Sequence, residues 1–163
     1  MAKDDESKLE NLKKDYEIIQ KKYKLPPFGT MNEDFHIEKI SESETDLLIG
    51  EVRKFVGDKL ANYMRFVENL INPVNVPMFI FSFVKALDAK DKKVLEEIYK
   101  GLMKMELDFI ELDLEFNEEK EAKFINESYK FWQDIKSDMM GITEKINSKW
   151  DEKGENNGKS YFG

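Results

Sequence analysis

Between Ala122 and Trp150 an apolar or aromatic residue returns every three or four positions, at Ala122, Ile125, Tyr129, Trp132, Ile135, Met139, Ile142, Ile146 and Trp150. Steps of that size line up along one side of a helix with about 3.6 residues per turn, and roughly eight turns of unbroken seam do not fit a strand. Two more stretches share the period: Leu48, Val52, Val56, Leu60, Tyr63, Val67 and Leu70, then Val94, Ile98, Leu102, Met105, Phe109, Leu112 and Phe116. The first predicts a helix over 44–71, with Ser43 as its N-cap and Asp46 three residues on. Asn72-Pro73 ends it, because a residue before proline is driven out of the α region. The second is capped by Asp88 or Asp91. The third opens at Asn117, where Glu118, Glu119 and Glu121 suit the positive end of a helix.

The other segments are shorter. Leu9, Leu12, Tyr16, Ile19 and Tyr23 form a narrow seam that stops at Leu25-Pro26-Pro27, so residues 1–27 read as a helical arm and a stiff elbow. From Phe28 to Ser43 the pattern is irregular; a turn at Gly29-Thr30 and anchors at Met31, Phe35, Ile37 and Ile40 predict a short helical turn followed by an extended strap. Pro77 suits the first position of a short helix in which Met78, Phe79, Ile80, Phe81, Phe83, Val84 and Leu87 cover every side. A helix apolar all round belongs at the centre of a structure, with a strand as the alternative for so short a run. Residues 153–163 are rich in Gly and Asn, have no period and read as a disordered tail. The expected fold is all-α: a single helical bundle over 28–152, of three long helices plus a short buried central helix, with the N-terminal helical arm outside it.

Composition agrees with one core and excludes several chemistries. Of 163 residues 40% are apolar, enough for a packed domain without staples, although 37% are charged. The absence of cysteine removes disulfides, thiolate metal sites and cysteine nucleophiles together. The opening Met1-Ala2-Lys3-Asp4-Asp5-Glu6 lacks a signal pattern. The longest near-apolar run, Val76 to Val84, is far below the roughly 18 residues of a spanning helix, so a soluble, cytoplasmic protein away from membranes is expected.

The net charge of −8 is unevenly spread. Ten basic against seven acidic residues leave 51–105 at +3, whereas 106–116 holds five acids and no base. No segment has the dense Lys/Arg excess that phosphate contacts require, so nucleic acid is not expected as a partner. A uniformly negative mimic of nucleic acid is disfavoured by the same +3 stretch.

Candidate reactive groups are few. His36 is the only histidine, and Glu33 three residues before it is the one Glu-x-x-His step; di-iron carboxylate bundles use that step twice, so Glu33 and His36 are weak metal candidates at most. Glu106, Asp108, Glu111, Asp113 and Glu115 lack the loop pattern of a calcium site and do not converge on one point when placed on a helix. They read as a solvated or partner-facing stripe. With no Cys and one His, nucleophile-and-base pairs are nearly unavailable, and no glycine-rich phosphate loop or cofactor motif is present. The arm seam is too short to stand alone and must dock, on its own bundle or on a partner. The expected function is therefore a non-enzymatic helical interaction protein whose partner is another protein or a second copy. A partner would meet Leu9, Leu12, Tyr16, Ile19 and Tyr23 on the arm and the acids from Glu106 to Glu115. A carboxylate-based metal-binding bundle or enzyme is the alternative.

Overall fold

The computed structural model describes residues 2–74 and 76–159, with side chains from 6 to 152 apart from residue 75. Among them every regular element is helical: α1 (Ala2–Tyr23), α2 (Phe28–Phe35), a 3-10 helix (Ile37–Glu42), α3 (Leu48–Ile71), α4 (Met78–Val84), α5 (Ala89–Leu114) and α6 (Glu118–Lys159). The all-α expectation holds. α3, α5 and α6 pack against one another, and α1 lies on the 3-10 helix, α2 and α3. The core is the sum of the seams: Val52, Val56, Leu60 and Val67 from α3, Leu95, Ile98 and Leu102 from α5, and Ile125, Trp132, Ile135, Met139 and Ile142 from α6. Each such side chain contributes about 1.5–3 kcal/mol through its removal from water.

The ends of the helices are set by local chemistry. α1 stops because Lys24 turns left-handed at φ 55° and the Leu25 N–H reaches back to the Gln20 carbonyl over 3.1 Å, a Schellman closure. Leu25 is then buried. His36, also left-handed at φ 54°, ends α2 and starts the 3-10 helix. The segment expected as an extended strap is therefore 3-10 helical; Asn32 holds it, its Oδ1 accepting the Glu38 N–H at 2.9 Å. Met31, Phe35, Ile37 and Ile40 are buried as anchors.

α3 begins at Leu48 rather than near 44. Ser43 is extended and its hydroxyl donates back to the Ile40 carbonyl at 3.1 Å, closing the 3-10 turn instead of capping α3. Asp88 does cap α5: Asp91 N–H donates to its Oδ1 at 2.8 Å, while Asp91 accepts the Asp88 N–H at 3.0 Å. Asn117 caps α6 by accepting the Lys120 N–H at 2.9 Å. α6 continues through Lys159, so 153–159 of the expected tail is helical, and 160–163 lies outside the described residues.

The short helix is not central. In α4 only Phe83 is buried; Met78 is 88% exposed, and Phe79 and Phe81 are also at the surface. α4 touches α6, where Phe79 meets Trp150 edge-on and Phe83 meets it at a tilt, at centroid distances of 6.1 and 5.4 Å. Seven residues make two turns, too few to cross the space between α3, α5 and α6, which those helices fill themselves.

Candidate functional site

α5 carries two apolar faces. The inner one holds Leu95, Ile98, Leu102 and Leu112, all buried, with Met105 and Phe109 packed beside them. Opposite it lie Met103, Leu107, Ile110 and Leu114, separated by 4, 3 and 4 residues and hence collinear on a helix. Met103 is half-buried, while Leu107, Ile110 and Leu114 are 57%, 46% and 84% exposed. Neither helix propensity nor the core explains such a stripe, since α3 and α6 occupy the other side.

Its borders are charged. Lys104 and Glu111 stand on one side of the stripe and Glu106 and Asp113 on the other, as the helical period of about 100° per residue dictates. Lys104 pairs with Asp108, and Lys120 Nζ approaches Glu111 Oε1 at 3.3 Å. Both lysines and Glu111 are exposed and Asp108 is half-buried, so each pair contributes about 0–1 kcal/mol and can be exchanged at little cost. Glu106 and Glu115 make no ion pair among the described residues.

The five acids of the island thus separate. Glu111 and Glu115 are exposed near the stripe, and Glu106 and Asp108 are half-buried. Asp113 is exposed as well, but it is tied to α3. Its Oδ1 accepts from Arg53 Nη1 at 2.8 Å, and the same guanidinium donates through Nε to Glu121 Oε2 at 2.7 Å and lies 4.4 Å from the Phe109 ring centroid. Arg53 and Glu121 are buried, Glu121 at 0% exposure, and Glu121 Oε1 has no hydrogen-bond partner among the described residues. Burial pushes the Glu121 carboxyl above the usual carboxylate range, against the pull of Arg53. This is a clamp joining α3, α5 and α6, and sequence reasoning missed it because Arg53 is a charge inside the apolar seam of α3.

The arm seam faces inward. Leu12 and Tyr16 are buried and Leu9, Ile19 and Tyr23 are half-buried against the rest of the chain. The Tyr16 hydroxyl donates to the Pro26 carbonyl at 2.7 Å, and Lys22 Nζ reaches Glu118 Oε2 at 3.0 Å. Of the two docking alternatives, the arm takes its own domain, and Leu12 and Tyr16 offer a partner almost no surface.

Comparison with protein-family models, curated proteins and solved structures finds no match.

Glu33 and His36 are both exposed, and His36 sits at the left-handed corner described above. Among the described residues no group of three or more His, Asp or Glu side chains is placed to hold a metal ion. The cleft between α5 and α6 is lined by Lys104, Lys120 and Lys123, each set against a carboxylate, Asp108, Glu111 or Glu127. It has no uncompensated charge to recognise an ion. A second polar centre surrounds Asp34, which accepts from Lys136 at 2.8 Å and Gln133 at 2.7 Å, while Lys59 donates to its backbone carbonyl. Burial opposes ionisation of Asp34, but those hydrogen bonds outweigh it and hold the carboxyl below its ordinary range. Both centres fasten helices to one another. No helix of the described residues is long and apolar enough to cross a membrane.

Proposed function

We propose that this protein is a non-enzymatic helical interaction protein, acting in the cytoplasm, that docks a partner on the outer face of α5. The observation that carries the reading is the exposed line Leu107, Ile110 and Leu114 directly opposite the buried face of the same helix. A helix that needs only one apolar face to join its domain, yet has two, is built to be covered on both. The charged borders add steering and register, which is what exposed charges around an apolar strip supply to an encounter. Photo-cross-linking tests this directly. A benzophenone side chain at Leu107 should give adducts in lysate of the source cell, lost on adding Ile110→Ser and Leu114→Ser, whereas the same group at the exposed Lys130 of α6 should give none. Equal labelling at both positions, or none at 107, would remove the reading.

A further inference from the structure

Resting on that docking face, a more specific reading concerns what covers it. The spacing 4, 3, 4 reads the same in both directions, so the stripe is complementary to its own reversed copy. We propose that the outer face of α5 is covered by α5 of a second copy of this chain, antiparallel about a two-fold axis near the middle of the stripe. In that register Met103 meets Leu114 and Leu107 meets Ile110, each contact repeated by the symmetry.

A two-fold axis perpendicular to the helices also brings each border against itself. On one border Lys104 of one copy then stands beside Glu111 of the other, twice per dimer, and each of these exposed side chains only has to leave its intrachain partner, Asp108 or Lys120, to reach it. Lys100, one turn before Met103 and 69% exposed as a side chain, comes over the C-terminal end of the other α5 beside Glu115, where a cation meets the negative end of the helix. On the other border Glu106 faces Asp113, a like-charge contact that Arg53 offsets through its bond to Asp113. Attraction thus outnumbers repulsion only in the antiparallel arrangement. Parallel copies, whose two-fold axis runs along the helices, would instead set each border against the other one, Lys104 beside Glu106 but Glu111 beside Asp113, an attraction cancelled by a repulsion.

Four side chains per copy make a small contact, well below the roughly 1,200 Å² of stable complexes, so association in the micromolar range or weaker is expected. Sedimentation equilibrium over a concentration series on the full chain should show a monomer–dimer equilibrium. Lys104→Glu should weaken it by about tenfold, since two attractions become two repulsions. Lys104→Glu with Glu111→Lys, which exchanges the charges, should restore it. Both positions are on the surface, and an unchanged circular dichroism spectrum separates lost association from lost folding. Equal effects of the single and double variants would overturn the antiparallel register. A strictly monomeric mass up to about 1 mM would overturn the second copy as occupant. If the Leu107 cross-link survived in that case, the docking face would stand with a different partner; if it too were absent, both readings would fall.

Discussion

Gly57 of α3 leaves the space that the Phe109 ring of α5 occupies: a Cβ built on Gly57 would lie 2.2 Å from Cδ2 and Cε2 of that ring. Phe109 in turn lies against the Arg53 guanidinium and meets Phe124 of α6 at a centroid distance of 5.9 Å. One missing side chain thus lets three helices approach. In an exposed helix Gly→Ala would stabilise by about 1 kcal/mol, but here the ring must move. Gly57→Ala is expected to destabilise by about 1–3 kcal/mol, the cost of overpacking. Gly141→Ala, where nothing lies within 4 Å of the added carbon, should instead stabilise by up to about 1 kcal/mol. Urea unfolding of both variants checks the opposite signs.

Arg53 and Glu121 are worth more as a pair than either is alone. Arg53→Met leaves the Glu121 carboxylate buried without its cation, and a loss of about 3–5 kcal/mol is expected at neutral pH. Arg53→Met combined with Glu121→Leu removes the stranded charge and should recover most of that loss. The Glu121 carboxyl already ionises above its unfolded value of 4.5 in the intact pair. Its ionisation therefore costs stability only as pH rises above 4.5, and more so without Arg53. The gap between Arg53→Met and the parent protein should be widest near neutral pH and narrow as pH falls toward 4.5. A gap independent of pH would show that Arg53 acts through packing alone.

Asp34 titrates in the opposite sense. Its folded-state carboxyl lies below the unfolded value of 3.8, so its contribution is complete above 3.8 and is lost as pH falls through the folded value. Asp91, bonded by Lys145 at 2.6 Å, behaves likewise and ties the start of α5 to α6. Asp34→Asn should flatten the acid limb of a stability-against-pH curve below 3.8 relative to the parent, with Gln133 and Lys136 left facing an amide. Unfolding midpoints measured from pH 5 downward test this; parallel curves for variant and parent would count against it.

The long helices are legible in the sequence because most members of their seams are buried or half-buried: Ile125, Trp132, Ile135, Met139 and Ile142 on α6 all lie in the core, and only the terminal Phe116 and Trp150 are exposed. The same rule misplaces α4, because being apolar on all sides does not distinguish a buried helix from a surface one that sinks only Phe83 and sets Phe79 edge-on to Trp150. The second stripe of α5 is hidden for a related reason. Over 105–114 apolar residues serve both faces, so the segment comes close to the alternation of a strand, and the line Met103, Leu107, Ile110 and Leu114 appears only once the inner face is assigned to the core. Ser43 illustrates a local limit, since a hydroxyl that can cap the next helix can equally close the preceding turn.

Tyr16 decides how firmly the arm is held. Its ring is fully buried and meets Phe28 edge-on at 5.5 Å, while its hydroxyl donates to the Pro26 carbonyl beyond the left-handed corner at Lys24. The elbow is thus bonded to the helix it terminates, so the arm cannot swing out without breaking that bond and exposing the ring. Tyr16→Phe removes only the hydrogen bond and should cost about 0.5–1.5 kcal/mol. Tyr16→Ala also empties the site and should cost about 3–5 kcal/mol. Ile18→Ala, on the exposed side of the same helix, is expected to change stability by less than about 0.5 kcal/mol. Hydrogen exchange of the α1 amides localises the effect: in Tyr16→Ala they should lose protection before those of α3, α5 and α6. Uniform loss across all four helices would mean instead that the arm and the remaining helices unfold as one cooperative unit.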